Sequence, residues 1–243
     1  MPKDPGPARQ SLIRAGERLF AERGIENVSL REINIAAGQR NSSALHYHFG
    51  SRESLLEEIL AQHSGEVRDA RLAMLKEIEN GGPSALRSAA LTIVRPLALP
   101  LDHGSSGRAF CRILPQVLTD PERNPKDLGH LIGDTARERS FRLLEPHCSG
   151  LPKLVLHERL YLTQLQVVYA IAARATHLDA RGGNPSPASS AFFVSNLTDM
   201  FVGALGAPVD EETLASLEEA VSLKSDPTLL ASRRSQPRKR ENQ

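Results

Sequence analysis

The residues best suited to reading a polymer are Arg40, Asn41, Ser42 and Ser43, followed closely by His46 and Tyr47. A guanidinium forks onto O6 and N7 of guanine, and a carboxamide pairs in the same two-point way with adenine. The hydroxyls of Ser42 and Ser43 suit a base or a phosphate, and Ala44 is small enough for close approach or for contact with a thymine methyl. Ser29, with the free N–H groups that follow it, and Arg52, at the head of another helix, are phosphate candidates. The chemistry implied is recognition of duplex DNA. A plain solvated turn carries the same residue types, so type alone leaves both readings open.

The elements that must position these side chains are strongly punctuated. Leu12, Ala15, Gly16, Leu19 and Phe20 recur at helical spacing, with Pro7 suited to the first turn and Gly24 placed to end the helix. Ser29 with Glu32 three residues on makes a capping box, flanked by Val28 and Ile33 as a hydrophobic staple. Both signals start a second helix at Leu30, running into Gly38. A third helix spans about Ser42 to His48 and turns Leu45 and Phe49 inward. Gly50 breaks it, and Ser51 caps a fourth helix that buries Leu55, Leu56, Ile59 and Leu60. Short helices with a tight glycine turn between the second and third give the pattern of a helix-turn-helix, whose second helix enters the major groove.

From Pro83 onward the periodicity predicts helices over 84–97, 108–118, 126–145, 154–178, 188–205 and 211–223. The breaks fall at LPLDHGSSG, TDPERNPKD and DARGGNPSP. No window alternates with period two, so the expected fold is all-α. The expected domains are a DNA-binding one over 1–52 that includes an N-terminal arm, a larger helical one over 53–225, and a basic, disordered tail over 226–243. Leu154, Tyr161, Leu165, Val168, Ala172 and Ala175 stripe one long helix. Phe192, Phe193, Leu197, Met200, Phe201, Ala204 and Leu205 crowd the next. Helices apolar over so much of their circumference need cover on more than one side, which a two-fold dimer supplies and an internal core also supplies.

Composition narrows the classes. A net charge of +1 over 243 residues means that any DNA-binding charge is local. Cys111 and Cys148 have no metal-ligand spacing and make no disulfide framework, so a reduced, cytoplasmic setting is expected. The start, MPKDPGPARQ, lacks the apolar stretch of a secretory signal, and no run is long and apolar enough to span a bilayer, so no membrane partner is expected. HExxH, GxSxG, a phosphate-binding glycine loop and a Cys/His ligand set are all missing, which argues against an enzyme and gives no cofactor. His46 and His48 stand two apart on one helix and do not face each other. A metal-dependent enzyme and a protein-binding helical adaptor are the rival classes.

The run from Leu19 to Leu60, LFAERGIENVSLREINIAAGQRNSSALHYHFGSRESLLEEIL, resembles the DNA-binding domain of the tetracycline-repressor (TetR) family. LFAERG ends the first helix, Val28-Ser29 with Ile33 opens the second, and Ala37-Gly38 makes the turn. His48-Phe49 closes the recognition helix and SRESLL starts the connecting one. Two departures stand out. Gln39-Arg40-Asn41 replaces the family's Val-Ser after Ala-Gly and makes the segment one residue longer. The family's tyrosine three residues before that phenylalanine is His46 here, with Tyr47 beside it. The resemblance implies phosphate contacts at Ser29 and Arg52, and a groove-facing set of Arg40 to Ser43 with Tyr47. It also implies a homodimer in which the last two long helices pair, through Leu165, Val168, Phe193, Leu197, Met200 and Phe201. The middle helices would enclose a pocket for an unidentified small-molecule effector, lined by Ile93, Phe110, Ile113, Leu114, Val117 and Phe141. Leu86 and Leu144 are further lining candidates, and Arg112 or His130 would orient a polar group. The function implied is a dimeric repressor on a palindromic operator, released by its ligand. The basic run Arg233 to Arg240, and the arm with Lys3 and Arg9, either add contacts to DNA or are simply solvated.

Overall fold

Helix boundaries fall where local chemistry sets them. The structure, a computed structural model, describes residues 6–39, 44–82, 85–120, 135–182 and 186–225, and among these there is no strand. Helix α1 (Pro7–Arg23) has Pro7 in its first turn and ends at Gly24, whose N–H bonds Phe20 O at 3.0 Å. Helix α2 (Leu30–Ala36) starts on the capping box and stops one turn-residue before Gly38. Helix α3 (Ala44–Phe49) is followed by α4 (Arg52–Glu79), where Ser51 Oγ accepts the Ser54 N–H at 3.1 Å. Helix α5 (Leu86–Ala98) leads through a 3-10 turn (Leu99–Asp102) into α6 (Gly104–Thr119). Helix α7 (Thr135–Leu144) occupies the end of the helix expected over 126–145, whose earlier residues lie outside the described ones. Helices α8 (Lys153–Ala180), α9 (Pro187–Gly206) and α10 (Glu211–Ser225) follow among the described residues, and the basic tail expected over 226–243 lies outside them. The expected all-α fold is what is found.

The capping box ties α2's start to a titration. The Ser29 backbone N–H donates to Glu32 Oε2 at 2.8 Å and its hydroxyl donates to the same oxygen at 2.7 Å. These bonds, the backbone one foremost and then that of the hydroxyl, together with Arg23, lower the Glu32 pKa from 4.5 to about 2. A lowered folded-state value means that the cap's contribution is complete above about 4.5 and is lost as the pH falls through about 2. The carboxyl chemical shift of Glu32 is expected to titrate near that lower value. A midpoint near 4.5 would show the cap open in solution.

The chain divides into two compact units, Met1–Leu205 and Gly206–Gln243. In the second, α10 is exposed along most of Glu211–Glu219. In the first, α6 is the organising helix: it packs most extensively on α8 and also lies along α1. Helix α4 packs on α1, α5 and α7, and α5 on α7. The division expected at residue 52 falls within this unit, because α4 and α6 tie the first helices into a continuous core. A Cβ on Gly16 would sit 2.8 Å from Leu55 Cδ2, so glycine permits the close approach of α1 and α4. Polar bonds add to the joint. Ile25 N–H donates to Gln116 Oε1 at 2.9 Å, and Ser106 Oγ–H donates to buried Glu17 Oε1 at 2.7 Å, with His63 Nε2 3.1 Å from the same hydroxyl. Cys111 and Cys148 are free and buried, and desolvation pushes the Cys111 thiol up to about 12 and raises Cys148 as well.

Two groups of expected residues are placed differently. Val168, Leu197 and Phe201 are 1%, 3% and 1% exposed, inside the subunit's own core, and therefore present no surface to a partner. The reason is that α8 and α9 each turn an apolar row inward; on α8 that row includes Leu156, Leu160, Val167 and Ile171. What stays outside is Tyr161, Leu162 and Tyr169 on α8, with Phe192 and Met200 on α9, while Leu165 and Phe193 are half-buried. Among the ligand candidates, Phe110, Ile113 and Val117 are buried in the core. Ile93, Leu114 and Phe141 border only a gap of about 20 Å³, beside Arg71 and Arg137. Arg112 is engaged by Asp179 at 3.3 Å, and His130 lies outside the described residues. Among the described residues, no single helix is long and apolar enough to cross a membrane.

Candidate nucleic-acid interface

Helices α2 and α3 pack on each other and both pack on α1. Ala37 N–H bonds Ile33 O at 2.9 Å and Gly38 N–H bonds Ile35 O at 3.0 Å, closing α2. Gly38 then turns the chain with φ +67°, a left-handed conformation that costs a side-chain-bearing residue about 1–2 kcal/mol. Asn34, buried at 4% exposure, fixes what comes next. Its Nδ2 donates to Leu30 O at 3.2 Å, and its Oδ1 accepts the Leu45 N–H at 3.1 Å, so one amide spans α2 and the first turn of α3. No periodicity marks Asn34; the available signal was a polar residue beside Ile33 on the inward side of a short helix.

On α3 the two faces separate cleanly. Leu45 and Phe49 are buried, as their spacing predicted, and Ala44 is buried with them, which removes it from any groove contact. His46 and Tyr47 are exposed, Tyr47 at 85%. His48 is half-buried, its ring 5.1 Å from that of Tyr47 and 6.3 Å from that of Phe49. Arg40, Asn41, Ser42 and Ser43, which lead directly into α3, lie outside the described residues. Arg9 holds the far end, over the Phe49 ring at 5.0 Å and paired with Glu58 at 2.6 Å.

The two phosphate candidates are both occupied within the chain. The Ser29 hydroxyl accepts the Glu32 N–H at 3.2 Å and donates to the Glu32 carboxylate, so capping uses both of its functions. Arg52 Nη1 pairs with Glu26 Oε2 at 2.9 Å, a partly exposed pair that a phosphate can replace. Arg31 is a further exposed cation, on α2.

A short helix locked from beneath and open above, following a helix that closes on a left-handed glycine, has the described parts of a helix-turn-helix. Residues 12–59 match the model of the bacterial regulatory proteins of the tetR family. This segment, about a fifth of the chain, is what is similar to that family. It is 36% identical over 59 residues to the HTH-type transcriptional repressor KstR2 of Mycolicibacterium smegmatis, covering 24% of this chain and 28% of the relative. It is 44% identical over 52 residues to KstR2 of Rhodococcus jostii, covering 21% and 25%. The chain thus matches only about a quarter of the length of these relatives. Among solved structures, the probable transcriptional regulatory protein RHA5900 superposes with a TM-score of 0.51 at 21% identity, covering 82% of this chain and all (100%) of that one. AmtR of Mycobacterium smegmatis does so with a TM-score of 0.51 at 20% identity, covering 91% and 98%. These two likenesses establish the fold alone.

Proposed function

We propose that this chain is a DNA-binding transcriptional regulator of the cytoplasm, a repressor that binds a palindromic operator as a homodimer and leaves it when a small molecule binds. The observation that carries the reading is the two-sided character of α3: Leu45 and Phe49 buried, His46 and Tyr47 open to solvent. In this reading Arg40, Asn41, Ser42 and Ser43, with Tyr47, face the groove at the N-terminal end of that helix, and His46 and Arg52 lie at the flanking backbone. Residues 1–52 form the DNA-reading part, and the helices over 53–225 bind the effector and the second subunit. The repressor sign is supported by the names of the KstR2 relatives.

The exposed apolar residues of α8 and α9, chiefly Tyr161, Leu162, Tyr169, Phe192 and Met200, are the proposed dimer surface. Pairing there presents two copies of α3, which together read half-sites about one helical turn apart, ~34 Å. A single six-residue helix makes too few contacts for a specific site. The effector weakens binding only by as much as it prefers the state in which the two copies of α3 are wrongly spaced.

Selection of bound sites from random duplexes tests the reading, and a two-fold symmetric consensus is the expected result. Arg40→Ala is expected to relax preference at one base pair in each half-site. Arg52→Ala is expected to weaken all sites alike and to lower the salt slope by about 1 per subunit. Failure to enrich any sequence, with both variants indistinguishable from the parent, would remove DNA recognition from the chain.

A further inference from the structure

A second cavity, of about 440 Å³, opens between α5, the turn Leu99–Asp102, α8 and the start of α9. Its size lies within the roughly 300–1,000 Å³ of small-molecule sites. Its wall carries three guanidiniums, Arg87, Arg95 and Arg174, against one carboxylate, Asp102. Two of the three are held in place. Arg87 donates to Asp199 Oδ1 at 3.0 Å and to Ser195 Oγ at 2.8 Å, while Arg174 lies over the Phe193 ring at 5.5 Å and donates to the Ser189 hydroxyl. Asp102 accepts the Ser190 hydroxyl at 2.8 Å. Arg95 is exposed, and no ion pair among the described residues engages it. The rest of the wall is largely apolar, with Leu91, Leu99, Leu101, Leu178 and Val194.

From this arrangement we infer that the cavity binds an amphipathic carboxylate, its headgroup on Arg95 and Arg174 and its apolar body along the leucines. A planar guanidinium matches a carboxylate at two points, and an excess of positive charge beside an apolar wall favours an anion with a hydrocarbon body over either part alone. The inference rests on the reading of the chain as a ligand-responsive regulator, and it places the effector away from the buried residues Phe110 and Ile113. The cavity also has a route to the DNA-facing helices. Leu101 and Asp102 belong to the turn that feeds α6, whose Ser106 bonds Glu17 of α1 and whose Gln116 bonds the Ile25 amide. A ligand bearing on that turn therefore pushes on the helix against which α1 rests.

Calorimetric titration of the full chain with hexanoate, octanoate and decanoate, each against its matching alcohol, tests the assignment. Affinity is expected to rise with chain length, and each acid to bind about tenfold or more tighter than its alcohol. Arg95→Gln is expected to erase that preference while decanol binding persists, and Arg174→Lys to reduce it, both with thermal midpoints near the parent's. Phe141→Leu, at the small gap beside Arg71, is expected to leave it intact. Equal binding of acid and alcohol, a preference that survives Arg95→Gln, or a preference lost in Phe141→Leu instead would overturn the proposal. Site selection separates this from the broader reading. A chain that enriches a palindrome without preferring acids loses only the cavity assignment, and one that prefers acids but enriches nothing loses only the DNA.

Discussion

Asp179→Ala is expected to lower the folding stability of the chain by about 3 kcal/mol. Asp179 stands near the end of α8 and accepts from two guanidiniums of α6, those of Arg108 and Arg112, the latter at 3.3 Å. The arginine side chains are 10% and 19% exposed, and that of Asp179 is 26% exposed. Removing one partner of a buried ion pair costs about 3–5 kcal/mol, because the remaining charge keeps its desolvation penalty without the compensating field. Partial exposure of Asp179 places the loss at the lower end of that range. The site matters because α6 and α8 form the most extensive helix contact among the described residues. Urea unfolding checks the prediction: the midpoint should fall at an unchanged slope. Asp179→Asn keeps an acceptor oxygen on the same stem and should lose distinctly less.

The second large effect is expected at Asn34, on function more than on stability. In Asn34→Ala the Leu45 N–H loses its acceptor and the Leu30 carbonyl loses a donor. An unpaired buried N–H costs about 1–3 kcal/mol, which leaves a protein of ordinary stability folded. Helix α3 is six residues long, too short to hold its place by its own hydrogen bonds, so its direction depends on buried Leu45 and Phe49 and on the Asn34 bridge. Duplex affinity is therefore expected to fall by about a hundredfold, far more than the folded fraction falls, as a short misplacement of the reading residues removes several contacts together. Fluorescence anisotropy with the selected duplex, run beside an unfolding curve on the same sample, separates the two effects. Asn34→Asp retains the acceptor for Leu45 and should recover much of the affinity. Equal losses in affinity and in folded fraction would mean that Asn34 acts only as core.

Much of the first sixty residues was legible because short-range chemistry sets their boundaries. Ser29 and Glu32 fix the start of α2 through bonds that span three residues, and Gly38 marks the turn through its own backbone angle. Leu45 and Phe49 sit one turn apart, which is enough to assign the buried face of α3. Distant relations were hidden. The apolar residues of α8 and α9 look alike in sequence whether they face the subunit's own core or a partner. Val168, Leu197 and Phe201 went to the core, while Tyr161, Leu162 and Phe192, with aromatic and large side chains at 55%, 52% and 72% exposure, stayed outside. The arginine-lined cavity was likewise unreadable, since Arg87, Arg95 and Arg174 come from two helices far apart in the chain and each alone looks like a solvated charge. The pairing of Arg52 with Glu26 also needed coordinates, because the two stand 26 residues apart in the chain.

The most direct measurement of the central claim is photocrosslinking from a benzophenone side chain placed at position 47, on the selected duplex, with the crosslinked nucleotides then mapped. Adducts at two positions related by the two-fold axis of the site, about one helical turn apart, are the predicted result. Firm duplex binding with adducts nowhere on the DNA, or scattered without symmetry, would contradict it and place the nucleic acid on some other face of the molecule.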